Sequence, residues 1–256
     1  MKKILLLNKK EGETPLEALE SFRKKNKEYK DAKMTYAGRL DPLASGLLLV
    51  LAGDAVHEKE KYLKLSKEYK FSILFGFSTD TYDILGKVQH SYILENVGMS
   101  ELEQKIKKNL KFFTGKFMQS YPMYSSKTVD GKPLFSYARA GKKVKNPEHE
   151  VNVKSLKFFG IEKISRKKLL ENIERRIAKV KGDFRQKEIL KIWRKNLSVQ
   201  HSGLNRGFFV ADFHIKCGSG TYVRAIADSL GEKIGVPALA LSIKRTKIGK
   251  WSRIEK

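Results

Sequence analysis

An α+β domain is the fold class this sequence predicts, and three observations lead to it. Two segments repeat with the period of two that a half-buried strand requires. In the first, Tyr69, Phe71, Ile73 and Phe75 are interleaved with Lys70, Ser72 and Leu74; the second carries Phe209, Ala211, Phe213, Ile215 and Cys217. Other segments pair a helix start signal with apolar residues at helical spacing. Finally, four separated motifs, taken up below, run along most of the chain.

The elements follow in order. Ile4 to Leu7 reads as an opening strand. Thr14 can cap a helix, Pro15 suits its first turn and Glu17 completes a capping box, so a helix is expected to about Asn26. A loop with Gly38-Arg39-Leu40-Asp41-Pro42 precedes an apolar segment, Leu47 to Ala52. Ser100 and Glu103 form a second capping box ahead of a helix reaching about Phe113. Pro122, Asp130-Gly131 and Lys132-Pro133 mark turns in an exposed loop. The late strand ends at Gly218-Ser219-Gly220, and Thr221 is placed to cap a helix to about Ile234.

Glu162 to Asn196 differs in character. Leu169, Leu170, Ile173, Ile177 and Val180 recur at helical spacing, Gly182 interrupts, and Asp183 with Gln186 restarts the pattern as a capping box. Lys167, Lys168, Arg175, Arg176, Lys179, Arg194 and Lys195 stud the other faces. The expectation is a hairpin of two basic amphipathic helices, inserted at about 162–198. Such a hairpin is either solvated surface or a grip on nucleic acid.

Charge narrows the partners. Lys and Arg number 53 against 28 Asp and Glu, a formal net charge of +25 spread along 256 residues. A field of that sign attracts phosphate, although a lysine-biased genome would leave the same surplus. The apolar run around Leu43 to Ala52 is broken by Ser45 and Gly46 and falls short of the roughly 20 residues needed to cross a bilayer. The start imitates a signal peptide, but Asn8-Lys9-Lys10 ends its apolar stretch at once. Cys217 is the only cysteine, so no intrachain disulfide forms, and a reducing cytoplasm suits the protein. His57, His90, His149, His201 and His214 show no metal-ligand spacing, and no metal is expected.

The four motifs carry the chemistry. They are Ala37-Gly38-Arg39-Leu40-Asp41-Pro42-Leu43-Ala44-Ser45-Gly46; Lys67-Glu68-Tyr69 with Ser78-Thr79-Asp80-Thr81-Tyr82-Asp83 and Gly86; Pro122-Met123-Tyr124-Ser125-Ser126-Lys127 with Gly131-Lys132-Pro133-Leu134-Phe135 and Ala138-Arg139-Ala140-Gly141; and Gly220-Thr221-Tyr222-Val223-Arg224-Ala225-Ile226 with Asp228, Leu230-Gly231 and Arg245-Thr246-Lys247-Ile248-Gly249. Together, in this order, they resemble the tRNA pseudouridine synthase B (TruB) family. The resemblance implies a pseudouridine synthase fold with a mixed, mainly antiparallel central sheet flanked by helices and loops. It also implies isomerisation of uridine to pseudouridine in RNA, with uridine 55 in the T loop of tRNA as the substrate.

That reaction cuts the bond from base nitrogen to sugar, turns the base and rejoins it through carbon. No electron is gained or lost overall, so no cofactor is expected. A nucleophile that attacks and later leaves is required, which an ionised carboxylate can be. By resemblance it is Asp41, a residue that alone would read as a turn aspartate before Pro42. The resemblance sets Arg224 against Asp41, where a guanidinium favours and orients the charged carboxylate; an Arg224–Asp228 pair on one helix is the alternative, and the two could share the group. Tyr69 matches the tyrosine implicated in stacking on the extruded base and in proton removal, while its periodicity makes it core. Ile243 matches a pocket-lining position. Lys9, Lys127, Arg139 and Lys247 sit in motif context and are candidates for RNA backbone contacts, needed to offset unstacking of the target base.

Three departures bear on substrate. Tyr36 stands where the family usually has a histidine that positions the flipped region. Arg39 stands in place of the usual threonine and brings the loop closer to synthases acting on ribosomal RNA. The chain stops shortly after Trp251, without the C-terminal PUA domain common in the family. The reading is a single catalytic domain over 1–256, a monomer that binds tRNA through the T-arm without guide RNA or membrane. The hairpin is expected to replace part of the missing grip. A ribosomal-RNA synthase and a non-catalytic tRNA-binding or folding protein are the alternatives.

Overall fold

The computed structural model describes residues 2–92, 97–198 and 207–252. His201 lies outside the described residues. The strands are β1 (Ile4–Lys9), β2 (Met34–Ala37), β3 (Ala44–Ala52), β4 (Lys67–Phe75), β5 (Phe77–Thr79), β6 (Val88–Ser91), β7 (Gly115–Ser120), β8 (Thr128–Val129), β9 (Lys132–Pro133), β10 (Glu148–Ile164), β11 (Phe208–Cys217), β12 (Ala238–Ile248) and β13 (Trp251–Ser252). The α-helices are α1 (Pro15–Lys25), α2 (Lys59–Leu63), α3 (Met99–Asn109), α4 (Leu134–Arg139), α5 (Arg166–Ile177), α6 (Gln186–Leu197) and α7 (Val223–Ile234).

A central sheet in the order β1-β3-β12-β4-β11-β10-β7, with β2 added to β3 and β13 to β12, carries everything else. Its ladders are antiparallel except that between β3 and β12. The mixed, mainly antiparallel sheet is therefore as expected. The odd-numbered residues of β4 (Tyr69, Phe71, Ile73, Phe75) pack with Leu102 and Ile106 of α3 and Ile226, Leu230 and Ile234 of α7. The other face starts polar at Lys70 and Ser72 but not at Leu74, which is fully buried with Val210, Leu239 and Leu241. The α5–α6 hairpin covers that end through Leu169, Ile173, Ile177, Ile189 and Trp193. Trp193 donates to the Ile84 carbonyl at 3.1 Å and meets Phe77 edge-on with centroids 5.0 Å apart.

Helix starts differ from expectation more than helix positions do. The Thr14–Glu17 box forms as read. The Ser100–Glu103 box does not: α3 begins at Met99, with Gly98 as its uncapped N-cap, and a 3-10 turn over Leu110–Phe113 completes the run. Thr221 donates to the Gly218 carbonyl instead of capping α7, whose N-cap is Tyr222. At α6 the box is replaced by local turns. Asp183 Oδ1 accepts from the Arg185 amide at 3.1 Å, Gln186 Oε1 accepts from Phe184, and Arg185 becomes a left-handed N-cap. Short polar side chains have several such backbone partners within reach, and spacing alone does not choose among them. The hairpin also begins later than expected, because β10 runs to Ile164 and Ser165 caps α5. Asp130 and Gly131 have φ of 47° and 75°, the mirror-image turn that joins β8 to β9.

Candidate active site

The loop from Gly38 to Leu43, between β2 and β3, is fastened at both ends by buried cations. Arg245 on β12, 1% exposed, donates Nε to the Leu47 carbonyl at 2.7 Å, Nη2 to Gly38 at 3.1 Å and Nη1 to Arg39 at 3.3 Å. At the other end Lys9 donates Nζ to the carbonyls of Lys10 at 3.0 Å, Pro42 at 3.1 Å and Ala44 at 2.5 Å. The Gly12 amide adds a bond to Pro42 at 2.9 Å. Gly46, at φ 104°, is required here, since a Cβ would collide with the Arg245 carbonyl. Leu40 is buried beside Ala44 and Tyr69. Asp41 is thus presented from a backbone held on both sides.

Its carboxylate meets Arg224 from the first turn of α7. Nε donates to Asp41 Oδ2 at 2.9 Å, Nη1 to the Thr81 carbonyl at 2.7 Å and Nη2 to the Tyr124 carbonyl at 2.9 Å. All three guanidinium nitrogens are engaged, and among the described residues Arg224 pairs with Asp41 and not with Asp228. The Arg224 side chain is 3% exposed and that of Asp41 39%. A fixed buried cation therefore orients a carboxylate that still faces solvent. Burial opposes the guanidinium's charge, yet Asp41 and Asp83 together hold its pKa above the ordinary value. Asp83, quoted in a motif but given no role, is the carboxylate the sequence reading missed. Burial pushes it up to about 6 against the pull of Arg224, while its Oδ1 accepts from Thr81 Oγ1 at 2.7 Å and the Leu85 amide at 2.9 Å.

Tyr69, at the start of β4, is 8% exposed and opposite Arg245 in register. Burial raises its phenol above the ordinary tyrosine value, with Arg245 opposing. Ile243 is partly buried on the same core, opposite Phe71 on one side and Ala44 on the other. Tyr36 is half-buried, and the exposed Arg39 places its guanidinium 5.9 Å from the Tyr36 ring centroid. Exposed Lys127 lies over the Tyr121 ring at 5.2 Å, and Tyr121 meets Tyr222, two residues before Arg224. Arg139, exposed on α4, reaches the Asp183 carbonyl of the hairpin at 3.4 Å.

Two candidate RNA contacts are placed otherwise. Lys9 is fully buried, with burial lowering its pKa to about 8, so it cannot touch a phosphate; it is a strut beneath the loop from Gly38 to Leu43. Lys9→Met is expected to lower stability by about 1–3 kcal/mol, since buried carbonyls lose their donor, with tRNA affinity unchanged; thermal melting and filter binding read the two effects. Lys247 pairs with Glu68 at 3.6 Å on the face of β4 opposite Tyr69. Arg176 is likewise no surface residue. It is 4% exposed, paired with Glu11 at 2.8 Å and donating to the Leu241 carbonyl.

A family model described as TruB family pseudouridylate synthase (N terminal domain) matches residues 24–184. The chain belongs to the TruB family. Among its relatives, the tRNA pseudouridine synthase B of Ligilactobacillus salivarius is 32% identical over 96% of this chain and 67% of the relative. That of Aquifex aeolicus is 29% identical over 97% of this chain and 69% of the relative. The Bacillus subtilis enzyme of the same name is 30% identical over 97% of this chain and 66% of the relative. A solved Cbf5-Nop10-Gar1 complex contains a chain of the same fold, with a TM-score of 0.57 and 18% identity, covering 98% of this chain and 50% of its own. An H/ACA ribonucleoprotein bound to a substrate RNA containing 2'-deoxyuridine gives 0.55 at 18%, covering 98% and 49%. The TruB chain described here thus spans about two thirds of the named relatives and half of the solved chains. Among the described residues no helix is long and apolar enough to cross a membrane, and no group of three or more His, Cys, Asp or Glu could hold a metal ion.

Proposed function

We propose that this chain isomerises uridine 55 in the T loop of tRNA to pseudouridine, with Asp41 as the nucleophile. The observation that carries this reading is a carboxylate 39% open to solvent and bonded to an arginine that is 3% open. A residue needed only for binding or folding has no reason to combine the two. In the reaction the bond from N1 to the sugar's anomeric carbon breaks, the freed base turns, and C5 takes its place. The C5 proton is lost as N1 gains one, so atoms and electrons balance without a cofactor. Asp41 attacks and departs. Arg224 fixes its direction, and Tyr69, which burial keeps a neutral phenol, supplies a face for the base. Tyr36, Arg39, Lys127 and Arg139 stand around the approach and serve RNA, in a cytoplasmic monomer that uses no guide RNA.

Mapping pseudouridine at nucleotide resolution, after incubation with unmodified tRNA and with ribosomal RNA fragments, tests the assignment. Product in the T loop alone is expected. Product only in ribosomal RNA, the outcome Arg39 would favour, overturns the tRNA assignment.

The hairpin serves as the second RNA grip. Lys167, Lys168, Lys191 and Lys195 are exposed. Deleting the hairpin would strip the cover from Leu74, Val210, Leu239 and Leu241, so charge removal is the cleaner experiment. Changing the four lysines to glutamine is expected to weaken tRNA binding. The slope of log affinity against log salt should become shallower by about 0.9 for each phosphate that is no longer neutralised. An unchanged slope would assign the hairpin to packing alone.

A further inference from the structure

The hairpin does more than cover the sheet, because its turn reaches the residues that hold Arg224. Arg185, which follows the segment matched by the family model, forms a two-pronged ion pair with Asp80: Nη1 to Oδ2 at 2.7 Å and Nη2 to Oδ1 at 3.3 Å. Its guanidinium also lies 4.4 Å from the Tyr124 ring centroid. These two partners flank the catalytic arginine. Asp80 precedes Thr81, whose carbonyl accepts from Nη1 of Arg224, and Tyr124 supplies the carbonyl that accepts from Nη2. Asp80 also closes its own loop, accepting from the Lys87 amide at 2.8 Å. One side chain therefore secures both backbone acceptors of Arg224. To do so it sits at φ 62° and ψ 25°, a left-handed conformation that costs a non-glycine residue free energy unless its surroundings impose it.

We infer that Arg185 is a positioning residue for the reaction, joining the hairpin turn to the Asp41–Arg224 pair through Asp80 and Tyr124. The inference rests on the proposed isomerisation, and it gives the hairpin a part in the chemical step separate from RNA grip. Lengthening either carbonyl hydrogen bond would let the guanidinium turn and take the carboxylate with it. Displacements of that size are sufficient to slow a step that depends on orientation.

Arg185→Gly tests this, because glycine suits the left-handed backbone and removes the guanidinium without adding strain. At saturating enzyme in a single turnover on tRNA, the variant is expected to be slower by about tenfold, with unchanged RNA affinity and a single cooperative melting transition well above the assay temperature. Arg185→Lys, which keeps one ion pair but not the fork or the stacking, should recover part of the rate. Arg185→Gly combined with Asp80→Asn should be no slower than the slower single variant, since both break one link. A wild-type rate in Arg185→Gly, a loss confined to affinity, or fully additive losses would overturn the inference while leaving the proposed function standing. No product from wild type in the same assay would overturn the function, and the positioning role with it.

Discussion

Asp41→Asn is expected to reduce pseudouridine formation by about a thousandfold or more, the scale on which loss of a nucleophile is felt, while binding tRNA as wild type does. The amide keeps the shape of the carboxylate and one oxygen able to accept from Arg224, so the loop retains its fastening by Lys9 and Arg245. What is lost is the negative charge that makes the oxygen nucleophilic. Losing charge without losing shape separates chemistry from binding. A protein that merely folds or carries tRNA would show no change. Chemical mapping of product over a time course, beside filter binding at matched salt, reads both quantities. A variant within tenfold of wild type would remove Asp41 from the role assigned to it.

Arg224→Lys should be the second most damaging single change. The guanidinium delivers three nitrogens in one plane to Asp41, Thr81 and Tyr124, and no rotamer of a lysine reproduces that fork. A buried ammonium can keep one of the three bonds, and burial lowers its own pKa and so its hold on charge. Rate is expected to fall by about a hundredfold, comparable to removing a fixed donor from other active sites. Stability should fall by about 1–3 kcal/mol, because buried carbonyls are left unpaired. The loss should appear in the maximal rate rather than in tRNA affinity, since Arg224 is too buried to meet RNA. Single-turnover rates across enzyme concentration separate the two, and a defect confined to affinity would contradict the assignment.

Much of this was legible in the residues, and the parts that were not share a physical cause. Strands β4 and β11 announce themselves because one face is apolar throughout, and helix α1 because its box has no nearby competitor. The boxes at Ser100 and Asp183 and the cap at Thr221 failed because each polar side chain had other backbone partners or none in reach, which depends on how the chain enters the helix. Leu74 broke the alternation of its strand for a tertiary reason, the arrival of the hairpin on that face. Asp41 and Arg224 were legible through the motifs that carry the resemblance. Lys9 was misread because a lysine in a basic chain resembles solvated surface, and only three converging carbonyls reveal it as a strut. Asp83 carried no signal of its own. Its elevation to about 6 comes from burial and from the charge of Asp41, against the pull of Arg224, both residues distant in sequence. Arg185 was outside every motif, and its link to Asp80 spans a separation that no local pattern encodes.

The most direct measurement follows the hydrogen that the isomerisation must expel. In RNA carrying tritium on C5 of its uridines, transfer of the sugar bond to C5 releases that tritium to water. With wild-type protein in excess over unmodified tRNA, release of label from one uridine per tRNA is predicted, with none from the same amount of Asp41→Asn under conditions where both hold the RNA. Release by the variant at the wild-type rate, or none by wild type despite tight binding, would contradict the claim that this carboxylate and its arginine perform the reaction.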